Sequence, residues 1–143
     1  MTRQPSDEDY ERLLAFRDRV RRFLHWSERQ AFEAGITPAQ YQLLLAIRGH
    51  EGDPTVGDVA DHLLLRHHSV VGLVDRAERA GLVTRRIDSH DHRVVRLCLT
   101  KDGAARLAAL AAAHLDELTR LGPELMPTWP SAGTVTRAAP RVV

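Results

Sequence analysis

The chain has 143 residues, of which 43% are apolar and 27% charged, and a net charge of +1. That is the length and composition of one ordinary soluble domain; it excludes a polycation, and no apolar run is long enough for a membrane span. One cysteine excludes an internal disulfide, and with no signal peptide at the start the expected location is the cytoplasm.

Ser6 opens a first helix, with Asp7, Glu8 and Asp9 in the turn where the helix dipole favours acids. Tyr10, Leu13, Val20, Phe23, Leu24 and Phe32 keep helical spacing up to Gly35. So long a helix needs a second surface to lie on. Thr37 caps a second helix, with Pro38 at its first position, Gln40 completing a capping box, and Ile36 and Tyr41 as a hydrophobic staple. Its expected core residues are Tyr41, Leu44, Leu45 and Ile47, and Gly49 to Pro54 breaks it.

Thr55 and Asp58 cap a third helix, whose core face is Val56, Val59, Ala60 and Leu63. Arg66, His67 and His68 read as a short turn. A fourth helix follows to Ala80, burying Val70, Leu73, Val74 and Ala77 and stopping at Gly81. Leu82 to Ile87 and Val94 to Leu99 are two strands around a polar turn, Asp88 to Arg93. Thr100 caps a fifth helix with Leu107, Ala111, His114, Leu118 and Leu121 along a seam for another helix. Gly122 and Pro123 are expected to end it and to begin a loosely ordered tail over residues 123–143.

Charge is unevenly placed. Residues 51–65 hold Glu51, Asp53, Asp58 and Asp61 with no arginine or lysine, whereas residues 66–96 hold seven arginines against four carboxylates. Two short helices, a turn, a third helix and a hairpin make a winged helix-turn-helix. The fold class is mainly α (α+β), with long flanking helices forming a dimerisation region. The helix after the turn suits a major groove of duplex DNA. The hairpin is then a wing, and Arg93 at its tip is the group that a narrow, negative minor groove attracts.

The same residues carry a family resemblance. "VDRAERAGLVTRRIDSHDHRVVRLCLTKDG", with Asp91, Arg93, Leu99 and Thr100 in an Asp-x-Arg-x5-Leu-Thr element, resembles the signature of the MarR family of bacterial transcription regulators, and "GITPAQYQLLLAI" is similar to the start of its second helix. The resemblance covers residues 36 to about 110 without gaps. It implies a homodimer whose first and last helices intertwine, two wings over a pseudo-palindrome, a repressor, and a small aromatic effector. It also implies that Arg93 enters the minor groove, that Asp91 orients it, and that His67, His68, Ser69, Val71 and Gly72 form the DNA-reading segment. Val71 and Gly72 depart from the polar or basic residues common there, so base reading shifts towards His67, His68 and Ser69. The family's closing helix is missing or vestigial here, because the chain turns proline-rich after Leu121.

The expected organisation is a dimerisation helix over 1–35, a DNA-binding domain over 36–100, a second dimerisation helix over 101–122, and the tail. Arg66, Arg76 and Arg86 join the DNA-binding set as phosphate contacts; for Arg85, Arg86 and Arg96, phosphate contact and plain solvation stand equal. Asp75 reads as a surface partner of Arg76 and Arg79. Trp26 and Tyr41 line a possible effector pocket, or are simply core aromatics. Neither the His62, His67, His68 group nor His90, Asp91 and His92 has a recognised metal spacing with a fourth partner, so no metal and no cofactor is expected. His114 reads as an interface residue and Cys98 as a structural thiol. No nucleophile–base pair or phosphate loop marks an enzyme. Two alternatives stay open: a ligand- or protein-binding module that has lost operator reading, and a metal- or thiol-responsive switch.

Overall fold

The computed structural model describes residues 3–125. Five helices and one hairpin follow in chain order: α1 (Asp7–Glu33), α2 (Pro38–Gly49), α3 (Val56–Leu63), α4 (His67–Arg79), β1 (Val83–Ile87), β2 (Val95–Leu99) and α5 (Lys101–Leu125). None of these helices is long and apolar enough to cross a membrane.

Local chemistry explains most of the boundaries. Ser6, Thr37 and Thr55 each accept from the backbone N–H three residues on, and Asp9, Gln40 and Asp58 return the bond. The hydroxyl of Thr100 accepts from the N–H of Gly103 in the first turn of α5. Gly81, at φ +74°, ends α4 in the left-handed region.

The core lies where α2, α3 and α4 meet the base of the hairpin. Leu43, Leu44, Val59, Val70, Val74, Leu82, Val83 and Leu97 are its most completely buried members. Leu107 and Leu110 bring α5 onto this core, and Ala31 does the same for α1. β1 and β2 pair antiparallel, from Val83 opposite Leu99 to Ile87 opposite Val95. The Leu97 N–H also donates to the carbonyl of Pro54 at 2.8 Å, tying the α2–α3 loop to the wing.

Three expectations change. Leu45 is 47% exposed, and Leu43 takes its place in the core. The helical period turns Leu43 and Leu44 inward together, which places Leu45 at the edge of the buried stripe. The turn before α4 lies at Leu64 and Leu65, not at Arg66–His68, and both histidines are already helical. Leu64 stands at φ 54°, ψ 41°, a conformation that no glycine or asparagine announces. Finally, α5 runs through Gly122 and Pro123 to Leu125. The backbone stays helical there although proline forfeits one helical hydrogen bond. Residues 123–125 of the expected tail are thus helical, and the rest of it lies outside the described residues.

Leu64 offers a test. Its side chain is 90% exposed, so it contributes little burial to set against the left-handed strain. Leu64→Gly is expected to raise stability by up to about 1 kcal/mol in a urea titration. A lower midpoint would show that the leucine is holding the turn.

Candidate nucleic-acid interface

α4 differs from the other helices at its start. Arg66 is its N-cap residue and gives no side-chain cap. Ser69 and Val70 N–H groups return to the Arg66 carbonyl, which leaves the first N–H groups of the helix facing outward. His67, His68 and Ser69 are all exposed there, while Val71 and Gly72 are half-buried. The Arg76 guanidinium lies back along the helix, 3.4 Å from where a Cβ on Gly72 would stand.

The wing tip is built by two aspartates. Asp88 accepts from the N–H groups of Asp91 (2.9 Å) and His90 (3.0 Å) and from Arg96 Nε (3.1 Å). Those bonds, the Asp91 and His90 amides foremost, pull its pKa down to about 2. Asp91 then receives Arg93 through Nε and Nη2, both at 3.0 Å, and through its backbone N–H at 3.1 Å. The two-pronged bond from Arg93 is the main cause of a lowered Asp91 pKa. The Arg93 side chain is nevertheless 90% exposed. It is aimed, not buried.

Arg93 and α4 face one space. An open cleft of about 480 Å³ is lined by Thr55 and Gly57 at the start of α3, His67 and Val71 on α4, and Arg85 and Arg93 from the wing. Thr55 and Gly57 went unmarked in the sequence because a capping threonine and a helical glycine look the same whether or not they border a cleft.

The other wing arginines are paired with carboxylates of the chain. Arg85 is bound by Asp75 (2.6 Å) and Glu78 (2.9 Å), so Asp75 pairs with the wing instead of with Arg76 or Arg79. Arg86 donates to Asp53 at 2.7 Å, and the Cys98 thiol approaches the same carboxylate at 3.5 Å. Arg96 reaches Asp88 and the Asp53 carbonyl. The Arg86 bond is the chief reason that the Asp53 pKa is lowered. These partners are thirty or more residues apart in the chain for Asp53, and no periodic pattern reveals such pairs. Among the described residues Arg66, Arg76 and Arg79 hold no carboxylate.

Trp26 and Tyr41 separate. Trp26 borders a cavity of about 240 Å³ between α1 and α5, with Phe23, Arg19 and Arg22 beside it. Tyr41 is buried and does not line this cavity; its ring stacks on His114, with centroids 4.6 Å apart. The pairing of Tyr41 with Trp26 in one pocket is therefore corrected: His114 lies between them, 4.9 Å from the Trp26 ring. The His114 Nδ1 bonds to the Leu110 carbonyl at 2.7 Å and Nε2 to the Ser27 hydroxyl at 2.6 Å, so both ring nitrogens are satisfied.

Comparison with known proteins separates this fold from other helical domains. A profile described as "MarR family" matches residues 34–94. The solved structure of a MarR family protein from Bacillus stearothermophilus is 30% identical, covering 80% of this chain and 77% of that one, with a TM-score of 0.69. The chain belongs to the MarR family. Within it, the HTH-type transcriptional repressor MdtR of Bacillus subtilis is 31% identical over 78 residues, 54% of this chain and 50% of that one. The organic hydroperoxide resistance transcriptional regulator of the same organism is 38% identical over 69 residues, 48% and 46% of the two chains. The chain thus spans about half the length of these curated relatives. Both are regulators of transcription, not enzymes. As a MarR-family fold, α3 and α4 form the helix-turn-helix and β1–β2 the wing.

The wing yields a pH test. Asp88 has a folded pKa below that of a free aspartate, so its contribution is whole above about pH 4 and fades as pH falls towards 2. Proton-detected titration should find the Asp88 carboxyl the most acidic in the wing, and Asp88→Ala should speed amide exchange at His90 and Asp91. Unchanged exchange there would mean that the tip is held by something else.

Proposed function

We propose that this chain is a homodimeric, ligand-responsive repressor of transcription that works in the cytoplasm on a pseudo-palindromic duplex operator. The observation that carries the reading is the shared cleft: an exposed guanidinium, held by Asp91 through Nε and Nη2, borders the same space as the start of α4. Arg93 would enter the minor groove while Arg66, His67, His68 and Ser69 meet the adjoining major groove. The uncapped N–H groups at the start of α4 suit a phosphate oxygen, which supplies the acceptor that the side chains omit. Val71 offers apolar contact to a thymine methyl, Gly72 lets the backbone approach, and Arg76 reaches a phosphate. Arg86 contributes positive potential from its place on Asp53.

The division into flanking helices (1–35 and 101–122) around a DNA-binding unit (36–100) rests on exposure. Tyr10, Leu13, Leu14, Leu24 and Phe32 on α1 and Leu115 on α5 are large apolar side chains left open on the single chain. A second copy covering them satisfies the need for a packing surface and sets two α4 helices about one turn of DNA apart. Light scattering should give twice the chain mass. A strict monomer would contradict the palindrome.

For the effector, the Trp26 cavity favours an aromatic acid: Phe23 and Trp26 offer ring faces, and Arg19, Arg22 and Arg120 outnumber the one carboxylate at its border, Glu117. Selection of bound fragments from a random duplex pool, followed by gel shift, tests the main reading. A recovered inverted repeat whose affinity falls steeply with salt supports it, and no enrichment over bulk DNA refutes it.

A further inference from the structure

The sequence offers two histidine groups as metal ligands and the structure brings together neither. Instead it joins two histidines twelve residues apart. His50 closes α2 as its C-cap residue, and its N–H donates to the Ala46 carbonyl. His62 stands in the last turn of α3, exposed. Their nitrogens, Nδ1 of His50 and Nε2 of His62, are 3.0 Å apart, with the rings crossed at 83°.

What lies behind His50 fixes which nitrogen faces forward. Its Nε2 is 3.6 Å from the Asp58 carboxylate. That carboxylate cannot drift, because it also accepts the Thr55 N–H at 2.9 Å as half of the α3 capping box. The nearby anion favours the tautomer with the proton on Nε2 of His50; Nδ1 then presents its lone pair and accepts from Nε2–H of His62. A carboxylate behind a histidine, orienting its other nitrogen, is the usual support of a metal-binding imidazole.

We propose that His50 and His62 form a two-nitrogen chelate for a divalent late transition metal, with Ni(II) or Cu(II) preferred to Zn(II). The spacing carries the preference. With metal–imidazole bonds of about 2.0–2.1 Å, cis ligands at a right angle stand about 2.9 Å apart and tetrahedral ligands about 3.4 Å apart. The observed 3.0 Å is a hydrogen-bond separation that already stands close to the right-angle edge, so the two nitrogens need less displacement to reach it than to reach the tetrahedral one. On binding, the bridging proton on Nε2 of His62 leaves to solvent and Nδ1 takes one up, so His62 changes tautomer at no net proton cost. Small rotations of the two rings turn both lone pairs onto the ion. Water fills the remaining positions, since among the described residues no third His, Cys, Asp or Glu joins the pair. The bound ion would staple the end of α2 to α3.

This inference does not rest on DNA binding, and its test contains no DNA. Thermal melting of the full chain with Ni(II) alone should show a rise of about 5–10 °C at an ion concentration a hundredfold over Kd. Zn(II) at the same concentration should give less. The rise should vanish in His62→Ala and in His62→Gln, which alter an exposed side chain and should fold, and persist in the doubly substituted His90→Ala, His92→Ala chain. Continuous-wave EPR of the Cu(II) form should show two imidazole nitrogens. No rise with Ni(II), or a rise that survives loss of His62, overturns the proposal.

Discussion

Arg93→Ala weakens binding to a selected operator by about 1–3 kcal/mol, roughly 5- to 150-fold, and leaves the melting temperature unchanged. The expectation follows from where the side chain lies. At 90% exposure it packs against almost nothing, and its ion pair with Asp91 is open to solvent and adds little to folding. The cost of removal therefore falls on whatever the guanidinium reaches. In the free protein Asp91 holds the guanidinium through two hydrogen bonds and the Arg93 backbone through a third, so the side chain enters a groove already ordered. Asp91→Ala should accordingly cost less than Arg93→Ala, since the charge remains and only its aim is lost. Lysine at position 93 should restore only part of the affinity, having no planar fork to share between a carboxylate and a groove. Gel-shift titration of the three variants decides it. Equal affinity for wild type and Arg93→Ala would remove the wing from the account.

The second large effect is on folding. Gly103→Ala is expected to cost about 3 kcal/mol and to lower the melting temperature by about 10 °C. Gly103 is buried where the first turn of α5 crosses the backbone of Leu82, at the base of β1. A Cβ there would overlap the Leu82 carbonyl oxygen and stand 2.9 Å from its carbon. Backbone cannot swing aside as a side chain can. Leu82 is moreover fixed from both directions, by its N–H to the Ala77 carbonyl and by its carbonyl to the Thr100 N–H at 3.0 Å. To admit a methyl group, α5 must lift from the wing base and open the contact that Leu107 and Leu110 make with the core. Gly57→Ala is the control, because a Cβ at 57 meets only the Thr55 hydroxyl at an ordinary 3.6 Å. Similar melting curves for the two variants would contradict this packing.

Local signals were readable and long-range ones were not. The capping boxes of α2 and α3 and the glycine stop of α4 are short-range chemistry, and each stands where residue type predicts it. The buried stripe of α4 follows from periodicity alone. Leu64 could not be foreseen, because tertiary packing of α3 and α4 imposes a left-handed turn on a residue that does not favour it. α5 likewise continues through Pro123, where residue type predicts a stop.

At the candidate interface, the wing and the start of α4 were visible as a motif, but the division of labour among the arginines was not. Arg85 and Arg86 are adjacent and look alike in sequence. One is held by Asp75 and Glu78 on α4 and the other by Asp53 in the α2–α3 loop. Neighbouring residues on a strand point to opposite faces, so each meets a different element. The same alternation leaves Cys98 beside Asp53 while Leu97 fills the core.

The most direct test of the central reading is methylation interference on a selected fragment. Guanine N7 lies in the major groove and adenine N3 in the minor groove, so each methyl group reports one groove. The account predicts two blocks of N7 interference about one helical turn apart, each adjoined by N3 interference that disappears with Arg93→Ala. A single unsymmetrical block, or N3 interference that is indifferent to residue 93, would contradict it.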